Sequence, residues 1–109
     1  MISGGNTRIV LVTCGSLAEG RKIAQGVVKK RLAACVNVGT APVESVYWWK
    51  GKVEKAKEFL LVMKTTAGRL KELEKEVKRM HSYDVPEIVV IKIESGSAEY
   101  LAWIRESTK

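Results

Sequence analysis

His81 and Cys14 are the side chains in this sequence best suited to hold a soft metal ion. His81 is the only histidine, and neutral imidazole ligates copper and zinc well. A tight site needs three or four ligands. Met80, Asp84 and Glu87 lie near His81 in sequence and could complete one. Cys14 and Met80 are soft donors that favour Cu(I). Each residue also has a plain structural reading. His81 would end a helix at its C-terminus, where a cation is favourable, and Met80 would be core. Cys14 would be a small, partly buried hydrophobe, although a place between a strand end and a helix N-terminus can lower a thiol pKa and suits ligand binding. Cys35, between Ala34 and Val36, reads as structural.

A second constellation is Tyr47-Trp48-Trp49 beside Lys50 and Lys52. Aromatic rings among lysines can stack nucleobases. Strand alternation puts Trp48 on the face opposite Tyr47 and Trp49, and aromatics are favoured at protein interfaces, which is the reading preferred here. No RNA-recognition strand motif is present, so nucleic acid is not an expected partner. Lys64, Tyr83 and Glu87 flank strand ends. With Tyr47 and Trp49 they would line a ligand cleft or a subunit interface; Lys64 near Glu87 could be a plain ion pair, or could equally bind a small anionic ligand at a subunit boundary. No Ser-His-Asp set, carboxylate pair, phosphate loop or CxxC is visible, so no catalytic role is expected.

The elements that must position these residues follow from pattern. Arg8–Thr13 is an apolar run that predicts a strand buried on both faces. Ser16-Leu17-Ala18-Glu19 has the form of a capping box, opening a helix that runs to about Ala34. Val36–Trp49 reads as extended, bent near Gly39 and Pro42, with a hairpin turn at Lys50-Gly51-Lys52. Val53–Lys64 returns as a long strand. Thr66 would cap a helix with Leu70, Leu73, Val77 and Met80 inward. Pro86 starts the strand Ile88–Ile93, and Ser97 caps a last helix with Leu101 and Ile104 inward. The order β-α-β-β-α-β-α predicts an α+β, ferredoxin-like βαββαβ sandwich with an additional C-terminal helix.

The runs Ile9–Val12, Phe59–Met63 and Ile88–Ile91 do not alternate. They send apolar side chains to both faces of the sheet, and one helix is too little to cover the second face. Each buried Val, Ile or Leu contributes about 1.5–3 kcal/mol. A further subunit is therefore expected on that face, in preference to the hairpin folding over its own sheet.

Several segments, in order, resemble the CutA family of divalent-cation tolerance proteins. They are Arg31-Leu32-Ala33-Ala34-Cys35-Val36-Asn37, Val46-Tyr47-Trp48-Trp49-Lys50-Gly51-Lys52, Lys64-Thr65-Thr66, His81-Ser82-Tyr83-Asp84-Val85-Pro86-Glu87-Ile88 and Tyr100-Leu101-Ala102-Trp103-Ile104. The resemblance implies a ferredoxin-like protomer, a homotrimer joined through sheet edges, association with copper or another divalent cation, and a role in metal-ion homeostasis. It departs from one branch's proposed copper set. Val12 stands at the first-strand cysteine position, Met80 at the first of two histidines, and Ser82 replaces the usual proline. Only His81 carries over. The alternative expectation is a trimeric scaffold or small-ligand sensor with no physiological metal.

Length and composition bound the rest. The 109 residues fit one domain, 1–109, with residues 1–7 expected to be a flexible N-terminus. A hydrophobic share of 46% is that of a folded protein. The net charge of +7 is spread along the chain rather than gathered in one patch. Neither a membrane-spanning run nor a signal peptide is evident, and two cysteines are too few for a disulfide scaffold, so the expected location is cytoplasmic.

Overall fold

The computed structural model describes residues 1–109. Its elements are β1 (Ile2–Ser3), β2 (Thr7–Cys14), α1 (Leu17–Lys29), β3 (Cys35–Val38), β4 (Val43–Trp49), β5 (Lys52–Thr66), α2 (Leu70–Met80), β6 (Ile88–Lys92), β7 (Ser95–Gly96) and α3 (Ala98–Ser107). The main sheet has the antiparallel order β3-β5-β2-β6, and β4 pairs with the distal half of β5. This is the arrangement expected from two split β-α-β units. No helix is long and apolar enough to cross a membrane.

Register sorts the strands into two faces. Val10, Val12, Leu61, Met63, Val36 and Val38 face α1 and α2, where they pack with Ile23, Val27, Leu73 and Val77. Leu61 sits at the centre of this core, fully buried, and its Cδ2 would lie 3.3 Å from a Cβ added at Gly20. Leu61→Ala should therefore cost about 3 kcal/mol in denaturant unfolding, because two rigid elements cannot collapse into the cavity. Ile9, Leu11, Leu60, Val62, Val89 and Ile91 share the opposite face. There α3 buries Leu101 and Ile104 against Ala34 and Ile93 and covers one end only. Val89 and Ile91 stay 47% and 44% exposed.

The helix α1 stops at Lys29, five residues before the expected end at Ala34. Arg31 takes a left-handed φ of 60°, and the amides of Leu32 and Ala33 both turn back to Val27 O. The sheet competes for this segment. Ala34 N donates to Lys64 O and Thr65 Oγ1 donates to Leu32 O, so tertiary bonds override helical periodicity. Between β3 and β4 the expected bend appears. Five steps from Val38 to Val43 match three from Leu61 to Glu58, and Gly39 N donates to Leu60 O. The hairpin turn is Lys50-Gly51 alone, with φ of 50° and 78°. Positive φ at both positions matches the twist of the flanking strands, and Lys52 already pairs with Trp49.

Thr66 does not cap α2. Its hydroxyl lies 3.2 Å from that of Thr108, and a 3-10 turn, Ala67–Arg69, leads into the helix. Ser97 does cap α3, accepting from Tyr100 N. The first seven residues, expected to be loose, are tied down: β1 pairs with β7, Gly4 N donates to Glu94 O, and Arg105 donates to Asn6 Oδ1 and Gly4 O. A Cβ on Gly4 would meet Ile93 O at 1.7 Å, so only glycine fits there. Glu76 of α2 is bound by Arg79 one turn on in the same helix and by Lys30 at the end of α1, and the hydrogen bonds from Arg79 and Lys30 hold its carboxyl down at about 2. That pairing persists above the ordinary carboxylate range and is lost only as the pH falls toward 2.

Candidate functional site

Two neighbouring features meet at the carboxyl end of β2. The first is the trio Cys14, Glu19 and His81, whose ligand atoms all lie within 4.8 Å of one another. Cys14 ends β2 with its side chain toward the helices. Glu19 is in the first turn of α1, and His81 follows the last residue of α2. Sequence reasoning named Cys14 and His81 as candidate ligands without placing them in one site, and it missed Glu19, which it assigned to a capping box. Ser16 Oγ does accept from Glu19 N, but the Glu19 carboxylate accepts from Ser82 N and Ser82 Oγ instead of reaching back to Ser16.

The His81 side chain is fully buried, and both its nitrogens are engaged. Nε2 is 2.8 Å from Thr13 O, and Tyr83 N lies 3.1 Å from Nδ1. One neutral tautomer satisfies both contacts: Nε2–H donates to the Thr13 carbonyl and Nδ1 accepts from the Tyr83 amide. Glu19 Oε2 is 3.8 Å from Nδ1. The ring does not cap helical carbonyls. Burial, with Glu19 and Glu58 adding to it, pushes the Cys14 thiol up to about 11, against the lowering expected from a place before a helix. At neutral pH it is therefore a protonated thiol. Met80 is not in this group, since its Sδ and Cε pack 3.2 Å from where a Cβ on Gly26 would stand. As built, the trio fits a metal poorly. The imidazole lone pair is committed, the thiol holds its proton, and the carboxylate already has two donors.

The second feature is a cleft of about 560 Å³ on the sheet face away from α1 and α2. Its aromatic walls are Tyr47 and Trp49 from β4 and Tyr83 from the loop after α2. Glu58 of β5 and Thr13 of β2 form the floor, with Asp84 and Glu87 at the rim. Alternation along β4 puts Tyr47 and Trp49 in the cleft and leaves Trp48 74% exposed outside it, as strand geometry requires. Tyr83 reaches in because residue 15 is glycine; a Cβ there would stand 2.9 Å from the tyrosine hydroxyl. Burial, with the neighbouring Glu58 carboxylate adding to it, pushes the Tyr83 phenol up to about 12.

Of the five residues expected at a cleft, Tyr47, Trp49, Tyr83 and Glu87 come together. Lys64 does not. It lies six positions along β5 from Glu58, and its Nζ donates to Asn37 Oδ1 on β3. Neither is there a Lys64–Glu87 ion pair. Glu58 was missed because it lies in the charged stretch Glu54–Glu58, which reads as a solvated hairpin; only its place on the face shared with Leu60 and Val62 distinguishes it.

Comparisons with known proteins cover both features. The family model "CutA1 divalent ion tolerance protein" matches residues 8–107. The "Divalent-cation tolerance protein CutA" of Archaeoglobus fulgidus is 44% identical over 100 residues, 92% of this chain and 96% of that one. "Protein CutA 1, chloroplastic" of Oryza sativa is 42% identical over 93% of this chain, which spans 56% of that longer protein. The solved structure of the "Divalent cation tolerance protein (Cut A1)" of Thermus thermophilus superimposes with a TM-score of 0.92 at 44% identity, covering 94% of this chain and 99% of that one. With the match running unbroken from β2 through α3, the chain belongs to the CutA1 divalent ion tolerance family.

Proposed function

We propose that this chain contributes to divalent-cation tolerance and metal-ion homeostasis as a cytoplasmic homotrimer that works by assembly and binding, not by catalysis. The observation that carries this reading is the bare apolar face. Ile9, Leu11, Leu60 and Val62 are only partly covered, and the edge strand β6 exposes Val89, Val90 and Ile91 together. A flat, apolar edge with open backbone groups is a template for pairing with another chain. If β6 met its own copy, the contact would close as a dimer. If it meets a different edge, such as the β4–β5 hairpin of the next copy, the contact is heterologous and forms a ring when the rotation closes. The family resemblance selects a ring of three. Two free cysteines suit a reducing compartment. Multi-angle light scattering at micromolar concentration should give three chain masses. One chain mass at that concentration would refute the assembly.

A second reading is favoured by the closeness of Cys14, Glu19 and His81: these residues would hold copper or another divalent ion. It requires His81 to give up the Tyr83 amide and Cys14 its proton. Calorimetric titration of Cu(II), then of Cu(I) under reducing conditions, separates the two readings. The first expects no saturable site at a fixed ratio per chain. The second expects one that His81→Ala removes.

A further inference from the structure

We infer that the cleft between β4 and the loop after α2 is a receptor for an organic cation, a primary ammonium or guanidinium group, seated on Glu58 between the rings of Tyr47, Trp49 and Tyr83. Glu58 is 8% exposed and takes part in none of the molecule's ion pairs, although the chain has 19 lysines and arginines. Its neighbour is the neutral Tyr83 phenol. A buried carboxylate without a cation is costly, and the incoming group would supply what the chain does not.

The walls agree with the floor. Three aromatic rings around a carboxylate suit a cation, which their faces attract at ring distances up to about 6 Å. Trp49 already shows the preference, with the Lys50 ammonium 6.0 Å from its ring centre. Asp84 and Glu87 add negative charge at the mouth and disfavour anions. The cleft carboxylates do not converge on one point. Cys14, Glu19 and His81 are the only group of three or more such side chains close enough to share an ion. A spread of carboxylates around rings suits an extended organic cation better than a small metal ion. The overall charge of +7 opposes cations only weakly here, since salt screens distant lysines beyond about 10 Å.

The ammonium could come from a free small molecule or from a lysine of a neighbouring copy. Calorimetric titration with 1,4-diaminobutane, with butyrate as the anionic control, distinguishes these sources. It is run on the native protein, on Glu58→Gln and on Ile91→Glu, with light scattering on each sample. A free ligand is indicated if the native protein binds diaminobutane once per chain, ignores butyrate, and is weakened about tenfold or more by Glu58→Gln. A neighbour's lysine is indicated if the native assembly does not bind, a dissociated Ile91→Glu chain does, and Glu58→Gln loosens the assembly. The inference is overturned if no form binds, or if Glu58→Gln binds as well as the native protein. Because the cleft lies within one chain, a native protein that is monomeric yet binds diaminobutane would refute the trimer while leaving this inference standing.

Discussion

Ile91→Glu is expected to leave the chain folded and to convert the trimer into monomers at micromolar concentration. Ile91 lies on the edge strand β6, opposite Ile9, with 44% of its surface open in the single chain. Nothing in the chain's own core leans on it, so circular dichroism and the unfolding transition of the monomer should change little. In the assembly the side chain would be enclosed. Losing its burial costs about 2 kcal/mol at each contact, and an unpaired carboxylate in the same place costs a few more. A closed ring repeats the loss three times, and each 1.4 kcal/mol is about a factor of ten in an equilibrium constant. Light scattering should therefore report one chain mass for the variant under conditions where the native protein gives three. Val28→Glu is the control. Val28 is comparably apolar and 39% exposed, but it lies on α1, away from the β6 edge and from the cleft, so it should leave the mass unchanged.

The same strand shows how far the sequence can be read. Ile9–Val12, Phe59–Met63 and Ile88–Ile91 fail to alternate, and that failure is a direct physical record of a sheet with two apolar faces. The order of elements and the inward stripe of α2 were legible for a similar reason, because burial imposes a period. Three features were not. Arg31 ends α1 against the pattern, since the bonds that pull Leu32–Ala34 onto the sheet come from Lys64 and Thr65, thirty or more residues away. Glu19 sits where a capping box predicts it, yet its carboxylate serves Ser82, because the loop after α2 offers two donors at close range. The N-terminal ribbon looks loose in sequence and is held by Arg105, a partner no local rule can name. The cleft was half legible: Tyr47, Trp49, Tyr83 and Glu87 were found by their places at strand ends. Lys64 was misplaced and Glu58 missed, because charge on a strand does not announce which residue will be enclosed.

His81→Ala should destabilise the chain by about 3 kcal/mol, far more than loss of an unoccupied metal ligand would. The ring is buried and ties two elements together. Removing it strands the Thr13 carbonyl and the Tyr83 amide and opens a cavity beside Cys14. Two further variants separate the bonds. In His81→Asn the amide oxygen can reach the position of Nδ1 and accept from Tyr83. In His81→Gln the amide nitrogen can reach the position of Nε2 and donate to Thr13. Each should recover about half of the lost stability in denaturant unfolding. Copper discriminates further. A metal bound to the folded chain alone raises its melting temperature with concentration. If His81 is a latch, Cu(II) leaves the melting temperature of the native protein unmoved, and the Asn and Gln variants rank by the hydrogen bond they keep. If His81 is a ligand, copper raises the native melting temperature, and Asn and Gln lose that rise equally however stable they are. The latch also bears on the cleft, because Tyr83 is placed by the amide that Nδ1 receives. His81→Gln gives up that bond while keeping Thr13, so it should weaken diaminobutane binding more than His81→Asn does, in a protein of similar stability. Equal binding by the two would separate the histidine from the cleft and leave Tyr83 positioned by its packing over Gly15.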